Sequence, residues 1–304
     1  MIASLSIRAR RRCASLVAAA TLCVWSCAEP DAAPLERGRP RIVASIFPLG
    51  DLAAMVAGTD LTVDVLVPPR ADPSTFEPSP RQFREIAGAR AFILVGGGLD
   101  DWSQAVLGRT EDIPRVDLSD GLTLREGSEG TGDPHVWLDP VLVRDSWLPR
   151  IVAALVAARP DAKETLEARG RVVADSLTKL DAWMFARLAP VRGRAFVATH
   201  SAWSYLAARY GIPELGVVYP SPGQEPSVRA LADLVEQARA AGVRAVFTEP
   251  QLGETGARAL AGELGVPVYV LDPLGGPGLD GRESYLEMMR FNTIQMARAL
   301  DGKR

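Results

Sequence analysis

The sequence predicts an α/β protein with two lobes, each a mostly parallel sheet flanked by helices, joined by one long rigid helix. Short β-branched runs alternate with amphipathic segments in both halves of the 304-residue chain. This alternation is typical of parallel strands whose connecting helices cover both faces of a sheet. Between the halves lies one amphipathic stretch, residues 160–190, in which Asp161–Leu188 has room for roughly seven to eight helical turns.

The first half, residues 42–159, is predicted to hold four strands and three helices. Buried β-branched runs predict the strands, and amphipathic spacing predicts the helices between them. The predicted strands are Ile42–Ile46, Leu61–Val67, Ala91–Val95 and Pro114–Leu118, and the predicted helices are Leu49–Val56, Pro80–Ala89 and Val141–Ala158. The third helix stops at Pro160, because proline disfavours helix in the residue before it.

The connecting segment is predicted to be one helix over Asp161–Leu188. Asp161 follows Pro160 and is a candidate cap, and Pro190 ends the run. Apolar residues fall near helical spacing along this segment, at Leu166, Val173, Leu177, Leu180 and Met184. A helix with such an apolar stripe makes a stiff connector, because one of its faces packs on the lobes.

The second half, residues 191–304, repeats the alternation and predicts a second α/β lobe. Its predicted strands are Ala195–Thr199, Leu215–Val218, Ala245–Thr248 and Val266–Leu271, and its predicted helices are Ala202–Tyr210, Ser227–Ala241, Glu254–Leu264 and Glu283–Leu300. The two halves show no residue-level repeat, so the duplication is one of architecture only.

The N-terminus has the composition of an export signal. Four arginines precede an apolar stretch, Ala14–Trp25, that is too short to span a bilayer: Arg8, Arg10, Arg11 and Arg12. Val24, Ser26 and Cys27 resemble a bacterial lipobox, in which the cysteine becomes a lipidated first residue. We therefore expect a signal peptide over 1–26, a polar tether over 27–41 and a periplasmic or cell-envelope protein anchored to the membrane at Cys27. The alternative is a plain cleavage site with an incidental cysteine.

Composition excludes several classes of function and of site. With 34 basic and 37 acidic residues and a net charge of −3, the chain has no basic patch for nucleic acid. The three cysteines, Cys13, Cys23 and Cys27, all lie in the leader or at its end. The rest of the chain therefore has no disulfide and no thiolate ligand, and a metal site there must use His, Asp and Glu.

Polar residues that follow predicted strands are the candidates for a binding site. In open α/β sheets, ligands lie beyond the carboxyl ends of the strands. The chain has two histidines, His135 and His200, one in each half and both on such loops. Asp272 follows the last predicted strand. These three side chains form a nitrogen, nitrogen and oxygen set that suits zinc or a similar divalent ion. Taken alone, Asp272 is equally compatible with a helix cap.

Several motifs give the chain a resemblance, along nearly its whole length, to the zinc- and manganese-binding solute-binding proteins of bacterial ABC importers. The matching stretches are Ile42–Leu49, Asp133–Pro140 (DPHVWLDP), Thr199–Trp203, Glu249–Gln251 and Leu271–Gly275. The resemblance implies a long helix joining two lobes, and capture of a divalent metal in the cleft between them. It further implies delivery of that metal to an ABC importer permease. We expect a monomer and no catalytic activity.

The first ligand segment departs from the family pattern. The family reads Asp-Pro-His-x-Phe/Tyr-Glu-Pro there, whereas this chain has Ser74 in place of the histidine. A serine hydroxyl is a poor zinc ligand. Water fills the fourth position, or a carboxylate from Asp72, Glu77 or Glu249 moves in, or high-affinity binding is lost. The first of these is favoured.

The residue at position 200 bears on the choice of metal. Manganese-type relatives usually carry a glutamate there, and imidazole suits zinc better than the harder manganese ion. We therefore expect zinc as the transported ligand, with manganese as the alternative. Two other functions stay open: an exported zinc hydrolase with Glu77 or Glu249 as general base, and a metal-free sensor or adhesin. The sequence contains neither an HExxH helix nor a nucleophile elbow, which disfavours the hydrolase.

Overall fold

Two parallel four-stranded sheets form the framework of the protein. The computed structural model describes residues 38–107, 113–127, 132–219 and 227–302. The first sheet has the order β2-β1-β3-β4 and the second β6-β5-β7-β8, with every neighbouring pair parallel. The strands are β1 Arg41–Ala44, β2 Thr62–Val65, β3 Ala91–Leu94, β4 Arg115–Asp117, β5 Phe196–Ala198, β6 Glu214–Val217, β7 Val246–Thr248 and β8 Val268–Val270. The predicted fold class is confirmed.

Helices connect the strands of each sheet and join the two halves. They are α1 Phe47–Ala57, α2 Pro80–Ala87, α3 Trp102–Leu107, α4 Pro140–Leu142, α5 Leu148–Ala158, α6 Lys163–Leu188, α7 Ser204–Tyr210, α8 Val228–Ala240, α9 Thr255–Leu264 and α10 Tyr285–Asp301. Serine side chains start three of them: Ser79, Ser227 and Ser284 each accept a backbone N–H of the first turn. The helices therefore begin where the sequence places a cap.

Helix α6 packs against both lobes. Its contacts include α1 and α5 on one side and α10 on the other. The apolar stripe predicted from its sequence is buried, and it belongs to a hydrophobic cluster that runs from Ile42 in β1 to Leu300 in α10. The inner faces of the two halves thus share one core across α6. This common core fixes the distance between the carboxyl ends of the two sheets, where the candidate site residues lie.

The start of the long helix differs from the prediction. Asp161 does not cap it, because Pro160–Ala162 first forms one 3₁₀ turn and α6 then begins at Lys163 without a side-chain cap. The Asp161 carboxylate instead lies 3.6 Å from Nε of Arg159. A second 3₁₀ turn, Ala189–Val191, follows α6 and contains Pro190.

Two further elements differ from the sequence prediction. The predicted helix Val141–Ala158 is interrupted by a wide π turn over Val143–Trp147. Pro149 accounts for this, because it has no N–H to donate to the preceding turn and its ring crowds that turn. Helix α3 was not predicted, since six residues are too few to show a helical period.

The predicted leader, Cys27 and the tether up to residue 37 lie outside the described residues. Within the part of the chain that the structure describes, every helix is either too short or too polar to traverse a bilayer. The tether over 27–41 stays a prediction, and Arg41 at its end is the first residue of β1.

Replacing Leu177 by alanine tests the shared core. Leu177 lies in the middle of α6 and is fully buried. We expect a loss of about 2–5 kcal/mol in the free energy of unfolding, because the cavity cannot collapse in a closely packed core. Urea denaturation measures it. The matched control is Val172→Ala, on the same helix at 65% exposure, which should change stability by about 0.5 kcal/mol or less. Equal effects of the two variants would contradict the packing described for α6.

Candidate metal centre

The second sheet places two polar side chains next to each other at its carboxyl edge. Its strand order reverses between β5 and β7, and such a reversal opens a crevice where ligands bind. His200 follows β5 and Glu249 follows β7. Nδ1 of His200 lies 3.1 Å and 3.3 Å from the two carboxylate oxygens of Glu249. The strand order of the sheet thus brings the His200 imidazole next to a carboxylate that is 49 residues away in the sequence.

Glu249 is itself fixed by a second donor. Nε1 of Trp203, a fully buried side chain, donates to Oε1 of Glu249 at 3.1 Å. Burial lowers the pKa of His200, but the adjacent Glu249 carboxylate more than offsets this and the pKa lies above the ordinary value of 6.5. The Glu249 carboxylate therefore orients the ring through Nδ1 and increases the basicity of the imidazole.

His135 is held in the same way by a carboxylate two residues before it. Oδ1 of Asp133 accepts the backbone N–H of His135 at 2.9 Å and lies 2.7 Å from its Nδ1. This local turn is what an Asp-Pro-His sequence favours, since an aspartate side chain readily bonds the backbone two residues on. Both side chains are buried, with His135 7% exposed and Asp133 2%.

Asp133 also connects the first lobe to the second. Its Oδ2 accepts a hydrogen bond from the Ser204 hydroxyl at the start of α7, and the Tyr205 hydroxyl donates to its backbone carbonyl at 2.9 Å. Burial raises the pKa of Asp133, but the hydrogen bonds from His135 and Ser204 outweigh it, so that the pKa lies below its ordinary value. Asp133 is therefore a charged acceptor shared by both lobes.

The two imidazoles meet across the cleft. The centroids of the His135 and His200 rings are 5.0 Å apart, with an interplanar angle of 71°. In the described structure each ring makes its carboxylate contact through Nδ1, which leaves Nε2 as the nitrogen available to a metal ion. Two imidazoles that share a tetrahedral zinc have centroids about 5 Å apart, given Zn–N bonds of about 2.0–2.1 Å. The ring separation fits one such ion.

Asp272 lies behind the wall of this pocket rather than in it. Oδ1 accepts from the side chain of Gln251 and from the backbone of Leu274 and Gly275, and Oδ2 lies 3.1 Å from Nη1 of Arg282. The Asp272 side chain is fully buried. Both of its oxygens therefore have partners, and the structure does not bring this carboxylate together with the two histidines.

The segment that carries Ser74 forms one rim of the pocket. Asp72 and Ser74 line it, and Oδ1 of Asp72 accepts both the backbone N–H and the hydroxyl of Ser74, at 2.9 Å and 2.7 Å. Nε1 of Trp102 holds the segment by donating to the carbonyl of Pro73. Glu77 is exposed and does not line the pocket. Of the additional candidates, Asp72, Ser74 and Glu249 surround the pocket and Glu77 does not.

The pocket between the lobes has a volume of about 550 Å³. His135, His200, Ser74 and Glu249 line it, together with apolar side chains that include Leu99 and Trp137. Among the described residues, no three His, Cys, Asp or Glu side chains are grouped closely enough to hold a metal ion. The protein thus presents two imidazole nitrogens to a wide pocket.

Sequence reasoning missed residues that orient the histidines and one half-buried acid near them. Asp133 lies in the matching stretch Asp133–Pro140, and its position two residues before His135 was the signal that could have identified it. Ser204 and Trp203 gave no such signal, because their contacts depend on the fold. Glu214, in β6, was missed because it precedes a predicted strand rather than following one. Burial, with the charges of Asp133 and Glu249, raises the pKa of Glu214 to about 8.

Known proteins share both the sequence pattern and the fold. The family model described as "Zinc-uptake complex component A periplasmic" (ZnuA) matches residues 42–299. The high-affinity zinc uptake system protein ZnuA of Bacillus subtilis is 27% identical over 300 residues, which cover 91% of this chain and 93% of that protein. The manganese-binding lipoprotein MntA of Halalkalibacterium halodurans is 29% identical, covering 88% and 90%. A crystal structure of a zinc-bound ZnuA deletion mutant superposes with a TM-score of 0.79 at 28% identity, covering 87% and 99%.

This chain belongs to the ZnuA family of periplasmic zinc-uptake components. The prediction of an exported solute-binding protein that serves an ABC importer is confirmed, and so is the prediction that the protein is not an enzyme. The exported hydrolase is thereby excluded. The transported ligand is a divalent metal ion, and the relatives carry zinc or manganese in their names.

Asp133→Asn and Glu249→Gln test the orienting role of the two carboxylates. Each variant keeps the shape of the side chain and removes the charge that fixes an imidazole at Nδ1. We expect zinc affinity to fall by about 10–100-fold in each, the usual effect of losing such a partner. Isothermal titration with zinc measures it. Glu77→Gln is the control, because Glu77 is exposed and outside the pocket. Unchanged affinity in both test variants would show that the carboxylates do not orient metal ligands.

Proposed function

We propose that the chain captures zinc in the cleft between its lobes through Nε2 of His135 and His200, and delivers it to the permease of an ABC importer. The observation that carries this proposal is the pair of imidazoles with centroids 5.0 Å apart, each fixed at Nδ1 by a buried carboxylate. A metal-binding histidine almost always has a hydrogen-bond partner at its other ring nitrogen, and a carboxylate is one of the usual partners.

Zinc is favoured over manganese by the donor atoms. Two imidazole nitrogens suit a borderline-soft ion such as zinc, whereas manganese prefers an oxygen-rich site. Zinc-binding relatives and the zinc-bound neighbouring structure support this choice, although a manganese-binding relative is equally similar in sequence. The metal itself is cargo, and no resident cofactor is proposed.

Asp272, the third predicted ligand, is proposed to bind the ion only after a rearrangement of its contacts. It coordinates the ion only if Arg282 and Gln251 release its oxygens. Of the alternatives at the Ser74 position, water requires no rearrangement. Asp72 requires a new rotamer, and Glu249 must leave His200 and Trp203.

The finer aspects of localisation and organisation are also proposals. We infer that the mature chain is a monomer anchored by a lipid on Cys27, with lobes over 42–159 and 191–304 and the connecting helix over 160–190. The lipobox-like ending of the leader supports the anchor, as does the lipoprotein name of the manganese-binding relative. The shared core over α6 supports the connecting helix as the axis of the molecule.

Alanine variants of the two histidines test the proposal. Protein purified without chelator should contain zinc in equal amount to protein, measured by inductively coupled plasma mass spectrometry. We expect His135→Ala and His200→Ala each to lose stoichiometric zinc, because one imidazole alone cannot hold the ion against dilution. A metal-free sensor or adhesin would instead contain no zinc and be unaffected by either change. Thr75→Ala, an exposed neighbour of Ser74 outside the pocket, is the control.

The proposed zinc site is also expected to be sensitive to acid. A proton competes with the metal for a histidine, and the pKa of His200 is raised above 6.5 by Glu249. Zinc affinity should therefore be constant at pH values well above that raised pKa. As the pH is lowered it should begin to fall before pH 6.5, by up to about ten-fold per pH unit for each proton that competes with the metal. Titrations between about pH 8 and pH 5 measure this. In Glu249→Gln the onset should move to lower pH, and an onset that does not move would contradict the assigned cause.

A further inference from the structure

The pocket provides fewer protein donors than a zinc ion requires. A structural zinc ion is held by four protein side chains, and a catalytic one by three side chains and a water molecule or substrate. Here two imidazole nitrogens converge, and the described residues contain no group of three or more candidate ligands. Ser74 occupies the place of the family's histidine. In the arrangement that the structure shows, the remaining coordination positions are therefore open to donors from outside the protein.

The neighbouring carboxylates already have other roles. Asp133 binds His135 and Ser204, and Glu249 binds His200 and Trp203. Moving either one onto the metal would leave a buried donor without a partner and an imidazole without its orienting group. Asp272 is held by Arg282 and by two backbone N–H groups. Asp72 would have to give up its bonds to the backbone N–H and hydroxyl of Ser74, so each rearrangement costs contacts that the folded protein makes.

The pocket is much larger than a hydrated ion needs. Its volume of about 550 Å³ falls within the range of pockets that bind small organic molecules, about 300–1,000 Å³. One or two water molecules occupy only about 30–60 Å³ of liquid volume. Much of the wall is apolar, formed by Leu99, Trp137, Leu252 and Leu274. The space beside the two imidazoles thus fits a small molecule with an apolar portion.

One wall of the pocket offers a hydroxyl donor. The hydroxyl of Tyr219 accepts the backbone N–H of Gly256 at 3.1 Å, which leaves its own O–H to donate into the pocket that it lines. Gly256 is required for this contact, because a Cβ at that position would lie 2.5 Å from the hydroxyl oxygen. Tyr219 is thus held in place as a donor for a ligand carboxylate.

The charge of the pocket limits what the small molecule can be. Three carboxylates line it, Asp72, Asp133 and Glu249, and neither lysine nor arginine is found among the described residues of the lining. A polyanionic chelator such as citrate would be repelled, since like charges in a partly buried site cost several kcal/mol. A chelator with a single negative charge leaves its zinc complex positive, which the acidic lining favours.

We infer that the cargo is zinc already bound to a small amino-acid-type chelator, whose amine and carboxylate complete the tetrahedron begun by His135 and His200. This inference rests on the proposed function. The chelate ring occupies the side of the pocket where Ser74 replaces an imidazole, its carboxylate lies near Tyr219, and its side chain lies against the apolar wall. No bond other than metal coordination is made or broken.

Equilibrium dialysis of the purified metal-free full chain tests the inference. The probes are zinc alone, and zinc with radiolabelled L-histidine at the same free zinc concentration. We expect labelled histidine to be retained in equal amount to zinc, only when zinc is present, and the Kd for zinc to fall by about ten-fold or more when histidine is added. Radiolabelled citrate, dialysed in parallel with zinc, should remove zinc without being retained. Citrate retained as well as histidine would overturn the charge argument and the chelator class with it.

The failures of the two proposals can be told apart. If zinc binds tightly alone and histidine only competes for it, the chelator inference is overturned and the proposed function stands. If zinc binds under neither condition, the proposed function itself is overturned. Ser74→His should bind zinc tightly without histidine and retain no labelled histidine, because a third imidazole takes the place of the chelator. Thr75→His, at the adjacent exposed position, should behave like the unmodified chain. Retention of histidine by Ser74→His would overturn the placement of the chelator.

Discussion

The buried carboxylate of Asp133 is the contact on which the geometry of the site depends. One of its oxygens holds the His135 ring and backbone, and the other accepts the hydroxyl of Ser204 from the opposite lobe. A charge that is 2% exposed is tolerated only because these donors replace water. The same group therefore sets the orientation of one imidazole and its distance from the lobe that supplies the other.

Glu249 plays the corresponding part in the second lobe, but by a different structural route. It is brought to His200 by the strand order of the sheet, whereas Asp133 reaches His135 through a local turn of the chain. The first arrangement depends on the whole sheet and the second on three consecutive residues. Each histidine nevertheless acquires a negatively charged partner at Nδ1 and presents the same nitrogen to the cleft. The two lobes thus reach equivalent chemistry without a residue-level repeat.

The fold could be predicted from the sequence to a large extent, because its elements depend on local patterns. The strands and the apolar stripe of α6 were predicted from short segments. The caps at Ser79, Ser227 and Ser284 were not predicted, although they too depend on short segments. The failures are equally local. A 3₁₀ turn displaced the cap expected at Asp161, and Pro149 widened a helix that was expected to be regular.

The site could be predicted only in part. The approach of His135 and His200 was predicted from their places on crevice loops of facing lobes, since ligands of open α/β sheets bind beyond the carboxyl ends of the strands. The state of Asp272 did not follow, because its pairing with Arg282 and Gln251 depends on how three loops pack. Sequence position identified a carboxylate at the right edge of the sheet but not whether its oxygens were free.

The hydrophobic cluster that runs from β1 through α6 to α10 has a consequence for how the ion enters and leaves. Swinging the lobes apart would expose part of this continuous apolar interior, at roughly 25 cal/mol for each Å². The bond from the Trp137 indole to the carbonyl of Pro273, at 2.6 Å, would break as well. Displacing the loops at the mouth of the cleft therefore costs less free energy than rotating the two lobes apart about a hinge. Loop displacement is thus the favoured route for the ion to enter and leave. The importer would then have to engage those loops to draw out what the protein carries.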